Sequence, residues 1–163
     1  MPDMNRGKIT TVYDLDAHVA ELYDQQITTT GDITLIRRLI GPRKGLRILE
    51  PFCGTGRMLI PLALDGHIVV GIDRALGMLS RARAKVDALP PEIQERIMLL
   101  HRDVLQAAWP TDFDLVILGG NCLYELATPE EQAQVIAAAA NALRSGGYLF
   151  VDNDHMEGEL EPT

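Results

Sequence analysis

Apolar residues near the start of the chain recur at steps of three and four residues, which is the spacing of one helical face. The first such stripe consists of Val12, Leu15, Val19 and Leu22. A turn-like stretch, 28–31, follows, and Asp32 is a suitable N-cap for a second helix that ends at Gly41. The apolar positions of that second helix are Ile33, Ile36 and Ile40. The pattern thus predicts an N-terminal pair of helices.

From Leu46 onward, short continuous apolar runs alternate with helical segments. The predicted strands are 46–49, 67–72, 97–100, 113–118 and 148–151, and the predicted helices are 57–65, 75–88 and 129–143. Continuous rather than alternating apolar runs are typical of a parallel sheet that is covered on both faces. Right-handed crossovers between such strands give an α/β doubly wound domain.

Composition and charge narrow the picture to one small globular domain. The chain has 163 residues, of which 47% are hydrophobic, and 15 basic against 23 acidic side chains leave a net charge of −8. An acidic chain argues against sequence-independent binding to nucleic acid. No apolar run reaches the roughly 20 residues that span a bilayer, so we expect no membrane association. The two cysteines, Cys53 and Cys122, lack metal-ligand spacing. We expect a soluble cytoplasmic protein without a metal site.

Polar and glycine residues follow each predicted strand, where ligands bind in doubly wound sheets. The first strand leads into Glu50 and then Gly54-Thr55-Gly56. Two such glycines permit a tight turn and the close approach of a ligand to the backbone, but a sharp turn without a ligand needs them equally. A dinucleotide fingerprint would require a third glycine where this chain has Leu59.

Carboxylates follow the second and third strands, and each has two interpretations. Asp73 could accept both hydroxyls of a ribose, or it could cap the helix that begins near Ala75. Asp103 could contact an adenine amino group or cap the short helical link after it. Sites at consecutive strand ends make coincidence a weaker explanation than it is for any one of them.

Taken together, these segments resemble the successive motifs of the Rossmann-like S-adenosylmethionine-dependent methyltransferases. The segments are ILEPFCGTGR, VVGIDRALGML, HRDVLQ and FDLVILGGNCLYEL, followed by LRSGGYLFVD. The resemblance extends from about Leu46 to Asp152 and implies the sheet order 3-2-1-4-5. It further implies that residues 1–45 form a helical lid and that residues 46–163 form the cofactor-binding domain.

The resemblance also implies a role for each matching position. Glu50 would bind the amino end of the cofactor, the glycine turn would pass beneath its methionine and ribose parts, and Asp73 would hold the ribose. Residues after the second and third strands would surround the adenine, and those after the fourth would line the methyl-transfer end. The implied cofactor-binding residues are Tyr23, Arg38, Glu50, Gly54, Thr55, Gly56, Arg57, Asp73, Arg74, Met78, Asp103, Val104, Asn121 and Leu123.

The segment after the fourth strand bears on the methyl acceptor. It lacks the motifs of nucleobase-directed methylases, and GGNCLYEL with YLFVDNDH is similar to glycine and sarcosine N-methyltransferase-like proteins. We therefore expect a small amine or carboxylate metabolite as acceptor. His155, Asp154 and the lid tyrosines Tyr13 and Tyr23 are candidate bases, and none is assigned. Cys122 is interpreted as a wall or packing residue.

Several alternatives stay open at this point. A nicotinamide-dependent dehydrogenase and a non-catalytic cofactor-binding module share the glycine turn, and the sequence leaves a homo-oligomer open. Arg81, Arg83 and Lys85 are interpreted as solvated surface. The family's sheet usually has seven strands, so 163 residues predict a missing C-terminal part and an uncovered apolar edge at the fifth strand.

Overall fold

The computed structural model describes residues 17–26 and 30–153. Several positions used in the sequence analysis lie outside these ranges. They are Val12, Tyr13, Leu15, Asp154 and His155. The predicted lid is therefore described only from Ala17, and three of the four candidate bases, Tyr13, Asp154 and His155, fall outside the described residues.

Five parallel strands form one sheet, as the apolar runs predict. The strands are β1 (Arg47–Pro51), β2 (Ile68–Asp73), β3 (Ile97–His101), β4 (Phe113–Leu118) and β5 (Leu143–Val151). Their order is β3-β2-β1-β4-β5, and every neighbouring pair is parallel. The predicted fold class and strand order are confirmed. Because β1 is central, the chain crosses over in opposite directions on its two sides, and the ligand-binding switch point lies at its carboxyl end.

Helices cover both faces of the sheet. They are α1 (Ala17–Gln26), α2 (Gly31–Ile40), α3 (Leu59–Leu64), α4 (Leu76–Asp87), α5 (Pro91–Gln94) and α6 (Pro129–Ala142). A capping arrangement starts α6, since Thr128 Oγ1 accepts the N–H of Glu131 at 3.2 Å while Glu131 Oε2 accepts that of Ala127 at 2.7 Å. In the described part of the chain, no helix is both long and apolar enough to cross a bilayer.

Two apolar cores lie on opposite faces of the sheet because neighbouring strand residues point to opposite sides. Ile48 of β1 belongs to the core beneath α2, α3 and α4, whereas Leu49 belongs to the core that includes Ala139 of α6. Both strand residues are almost fully buried. The central strand therefore has apolar side chains in succession, which is the pattern that predicted a doubly covered sheet.

Two predicted boundaries are wrong. Thr30, not Asp32, occupies the N-cap of α2, and Asp32 lies within the first turn, where its Oδ1 accepts the N–H of Ile33 at 2.8 Å. β5 begins at Leu143 rather than at Tyr148, since Leu143 pairs with Phe113 before the register shifts to Leu115 opposite Tyr148. An irregularity of this kind inserts residues without ending the strand pairing.

β5 is an edge strand, and part of its apolar surface is open. Tyr148 is 64% exposed and Val151 is 43% exposed. Its single neighbour is β4, so the other backbone edge of β5 has no strand partner among the described residues. The predicted uncovered edge is thus present in the structure.

We expect Gly71→Ala to destabilise the fold by about 1–3 kcal/mol, because overpacking a filled core forces neighbouring atoms to move. Gly71 lies in β2, where an added Cβ would come within 2.7 Å of Cys53 Sγ and 2.8 Å of Leu59 Cδ1. Urea unfolding followed by circular dichroism measures the change. The matched control is Gly31→Ala, where a Cβ meets nothing within 4 Å and we expect unchanged or slightly raised stability.

Candidate functional site

One cavity of about 910 Å³ opens at the carboxyl ends of the strands. Its walls come from the loops after β1, β2, β3 and β4 and from α1. This volume suits a ligand of cofactor size. Nine of the fourteen predicted residues line it: Tyr23, Glu50, Gly54, Arg57, Asp73, Arg74, Met78, Asp103 and Val104.

Asp73 joins the end of β2 to the loop that follows β1. Its Oδ2 accepts the N–H of Gly54 at 2.8 Å, and its Oδ1 accepts the N–H of Ala75 at 2.8 Å. Gly54 has a φ of +56°, a conformation that a side chain disfavours. The predicted N-cap role needs correction, because Ala75 is the N-cap of α4. A carboxylate oxygen can accept more than one hydrogen bond, so Asp73 is a suitable acceptor for ligand hydroxyls.

Glu50 is a buried carboxyl group at the end of β1. It is 8% exposed, and its Oε2 is buried with no hydrogen-bond partner. Burial raises the pKa of Glu50 to about 8, the negative charges of Asp73 and Asp32 add to that rise, and Arg57 opposes it. The side chain is therefore mostly protonated at neutral pH, although it lines a cavity that could admit a cation.

Arg57 is held at the cavity wall by α2. Its Nη2 donates to Asp32 Oδ2 at 2.7 Å and its Nη1 to Asp32 Oδ1 at 3.1 Å, which is a bidentate pair. Burial favours the neutral acid, but the bonds from Arg57 outweigh it and lower the pKa of Asp32. The bond to Asp32, together with one to Tyr23, raises the pKa of Arg57. This guanidinium is thus a fixed positive charge close to the Glu50 carboxyl.

Asp103 shapes the loop after β3. Its Oδ1 accepts the N–H of Leu105 at 2.9 Å, while Trp109 Nε1 donates to the Val104 carbonyl oxygen at 2.9 Å. The predicted short helix is only a turn, which Asp103 starts and Trp109 anchors. Val104 is 8% exposed and contributes an apolar wall. A carboxylate beside an apolar surface is suited to the edge and face of an adenine ring.

The cavity wall after β4 contains Gly119, Gly120, Cys122, Tyr124 and Glu125. Burial, together with the charges of nearby carboxylates, raises the pKa of Cys122 to about 12. The thiol is therefore protonated at neutral pH and is a poor nucleophile. This agrees with its interpretation as a wall residue.

Five of the predicted residues do not line the cavity. Arg38 is exposed on α2, on a face away from the buried Ile36 and Ile40. Thr55 and Leu123 are buried beneath the surface. The remaining two are Gly56, which packs against Ile60, and Asn121, which lies between two lining residues in a left-handed conformation.

Sequence reasoning missed a cluster around Asp24 of α1. Arg81, Lys85 and Thr55 all bond to this carboxylate. The interpretation of Arg81 and Lys85 as solvated surface is wrong, because both side chains bond to Asp24. Residues four apart in a helix lie on the same face, so both can reach one carboxylate. That spacing was the available signal, whereas the acidic partner is distant in sequence.

The chain matches known proteins over its sheet region. A family model described as "Methyltransferase domain" matches residues 48–147. The Bacillus subtilis (strain 168) protein YqeM, named as a methyltransferase, is 34% identical over 112 residues, which are 68% of this chain and 43% of that protein. A ubiquinone biosynthesis O-methyltransferase of Paracidovorax citrulli (strain AAC00-1) is 31% identical over 112 residues, 68% of this chain and 44% of that protein. The chain thus spans less than half the length of these relatives.

Solved structures share the fold. The methyltransferase CcbJ of Streptomyces caelestis superposes with a TM-score of 0.72 at 24% identity, covering 85% of this chain and 56% of that one. The glycopeptide N-methyltransferase MtfA, in complex with S-adenosyl-L-methionine, superposes with a TM-score of 0.66 at 22% identity, covering 74% and 52% of the two chains. The family predicted from the motifs is therefore confirmed, and the chain belongs to the methyltransferase domain family with a Rossmann-like fold.

Proposed function

We propose that this chain binds S-adenosylmethionine in the cavity and transfers its methyl group to a small-molecule acceptor. The observation that carries the proposal is the convergence of three carboxyl groups on one cavity. Glu50 and Asp73 lie at the carboxyl ends of β1 and β2, Asp103 follows β3, and all three line the same space. Membership of the methyltransferase domain family supports the same activity.

The lining suggests how the parts of the cofactor are held. Asp73 accepts the ribose hydroxyls, since a carboxylate oxygen can accept more than one hydrogen bond. Asp103 accepts from the adenine amino group, and Met78 and Val104 supply apolar contact to the ring. Arg74, which follows Asp73 in the chain, also lines the cavity. The remaining predicted contacts, at Arg38, Thr55, Gly56, Asn121 and Leu123, would require movement of the loops or contact through the backbone.

Glu50 and Arg57 suit the two charges of an amino-acid group. The unpartnered Oε2 of Glu50 is a buried acceptor that an ammonium group would satisfy. The Arg57 guanidinium, fixed by Asp32, lies at the same wall and can attract a carboxylate. A ligand with an adjacent ammonium and carboxylate therefore fits this end of the cavity.

When bound, the cofactor would supply a sulfonium-activated methyl group that an acceptor lone pair would take in line as the carbon–sulfur bond breaks, with S-adenosylhomocysteine as the leaving group. The protein then has to align the acceptor and exclude water, and good alignment can be worth roughly 7–11 kcal/mol. Gly120 leaves open space at this end, since a Cβ there would meet nothing within 4 Å, while Cys122 and Tyr124 border it. Since the Cys122 thiol stays protonated, we propose direct transfer without a covalent enzyme intermediate.

Of the two expected acceptor classes, the lining favours an amine. Between Gly119 and Glu131, the described lining residues include Glu125 and Glu131 but no basic side chain. Negative charge on this wall attracts a protonated amine and repels a carboxylate. An amine must then lose a proton before it attacks, and the structure assigns no base to that step.

The cofactor proposal predicts that calorimetry detects binding of S-adenosylmethionine but not of NADH. Asp73→Asn should weaken that binding by about 10- to 100-fold, because hydrogen bonds to a charged group contribute about 1.5–3 kcal/mol. Asn retains one acceptor oxygen, so the loop after β1 should persist. NADH binding without S-adenosylmethionine binding would instead support a dehydrogenase.

Asp112→Asn is the matched control for this substitution. Asp112 is exposed in the loop before β4 and has a φ of +75°, a conformation that Asn tolerates well. We expect its cofactor affinity to equal that of the wild type. Equal affinity in Asp73→Asn as well would show that the ribose site is misplaced.

The raised pKa of Glu50 predicts that the stability of the protein falls between about pH 4.5 and pH 8. Its ordinary pKa of 4.5 applies to the unfolded chain, whereas the folded chain holds the proton until about pH 8. The unfolded state therefore loses this proton first, and the free energy of unfolding falls as pH rises. Glu50→Gln should remove this component, on the order of a few kcal/mol, and be more stable than the wild type at pH 8.

Denaturant unfolding at pH 5 and pH 8 measures the effect, with Glu21→Gln on the exposed surface of α1 as control. Calorimetry in two buffers supplies a second measurement. If an ammonium group binds Glu50, wild-type binding at pH 7 should release close to one proton, and Glu50→Gln should release none. An identical proton count in both proteins would contradict this placement of the ammonium.

The acceptor proposal is tested with methyl-labelled cofactor and two metabolite pools, one of small amines and one of small carboxylates. We expect label to appear in the amine pool, with products identified by mass spectrometry. Transfer only to carboxylates would overturn the amine preference. Cofactor binding without transfer to either pool would favour a non-catalytic cofactor-binding module.

A further inference from the structure

The carboxylate of Asp24 connects three separate segments of the chain. Its Oδ1 accepts from Thr55 Oγ1 at 2.5 Å and from Lys85 Nζ at 2.8 Å, and its Oδ2 accepts from Arg81 Nε. The side chain of Asp24 is 14% exposed. One carboxylate on α1 thus bonds both to α4 and to the loop after β1.

The network is closed by a second bond from Lys85. Its Nζ donates to the Thr55 carbonyl oxygen at 3.0 Å, so the ammonium bridges Asp24 and the loop backbone. Thr55 is fully buried between Gly54 and Gly56, and Gly54 lines the cavity. A displacement of Asp24 would therefore remove a support from the loop after β1.

Among the described residues, α1 has one small apolar cluster besides its polar bonds. In that cluster, Ala20 and the partly buried Tyr23 pack against Ala75 and Met78. Tyr23, which precedes Asp24 in the chain, lines the cavity and bonds to Arg57. A helix with so little buried apolar surface opens readily when a polar anchor is lost.

The lowered pKa of Asp24 indicates that its carboxylate binds its partners strongly. Burial favours the neutral acid, but the bonds from Lys85, Thr55 and Arg81 outweigh it and lower the pKa of Asp24. The carboxylate is therefore ionised at neutral pH. Charge-assisted hydrogen bonds are about twice as strong as neutral ones, and their loss leaves Lys85 without its carboxylate.

We propose that Asp24 and Lys85 are positioning residues that lock α1 to the loop after β1, and so hold Tyr23 and Gly54 in place around the bound cofactor. The inference rests on the proposed function, since it assumes that the cavity holds that cofactor. Neither residue is proposed to touch the ligand. Their effect is to hold these two parts of the cavity wall together, which slows ligand escape.

Asp24→Asn tests the inference. The amide keeps the size of the side chain but loses the charge and one acceptor. We expect the dissociation rate of S-adenosylhomocysteine, measured by chase of labelled ligand, to rise at least about tenfold, with a smaller change in the association rate. Hydrogen exchange of the free protein should accelerate in α1 and in residues 53–56.

Asp65→Asn is the matched control. Asp65 pairs with Arg37 at 2.6 Å and lies outside the cavity lining, so this variant also loses one carboxylate ion pair. We expect its dissociation rate and its α1 exchange to equal those of the wild type. A general loss of stability would instead accelerate exchange across the sheet, and this pattern in Asp24→Asn would overturn the inference.

A double-mutant cycle separates a lock from two independent effects. If Asp24 and Lys85 act together, Asp24→Asn and Lys85→Met should each speed dissociation, and the double variant should be little faster than either. Additive effects, or a dissociation rate in Asp24→Asn within twofold of the wild type, would overturn the inference alone. Failure of the wild type to bind S-adenosylhomocysteine would overturn the proposed function.

Discussion

The parallel pairing of β1 with β2 and β4 is the constraint on which the site depends. Arg47 pairs with Ile68 at one end of β1 and Pro51 with Ile72 at the other, so the two strands finish side by side. The residues that follow β1 must then lie beside the residues that follow β2. Asp73 uses that proximity, because its carboxylate accepts the N–H of Gly54 from the loop after β1. The cavity forms at this place because the carboxyl ends of β1 and β2 lie side by side.

The site contains a buried carboxyl group, Glu50, whose charged form is disfavoured by the folded protein. Glu50 is buried without a partner for one oxygen, so its carboxyl group keeps its proton at neutral pH. Arg57 lies nearby, but its guanidinium is already engaged by Asp32. An unsatisfied buried acceptor costs stability, and such costs are commonly found where a ligand later supplies the missing bond. Under the proposed function, the same group would link ligand binding to pH.

The wall formed by α1 depends on polar contacts to a degree that the sheet does not. The sheet is held by two buried apolar cores, whereas α1 contributes Ala20 and part of Tyr23 to a small cluster. Asp24 compensates with bonds to Thr55, Arg81 and Lys85. These bonds join the helix directly to the loop that would support the cofactor. Stability of the wall and position of the loop are therefore coupled through one carboxylate.

The sequence by itself determined the fold and the place of the cavity, and nine of the fourteen predicted cofactor-binding residues line that cavity. Continuous apolar runs predict buried parallel strands, and parallel strands place the residues at or just beyond each carboxyl end, such as Asp73 and Asp103, at one edge. Local sequence patterns are sufficient here, because polar and glycine residues follow the apolar runs and so mark where the strands end. The register shift in β5 and the N-cap of α2 escaped this reasoning, since Leu143 and Thr30 acquire those places through pairing and helix geometry. Only the tertiary structure decided that Asp24 meets Lys85, because bonds between residues 61 apart in sequence depend on how α1 packs on α4.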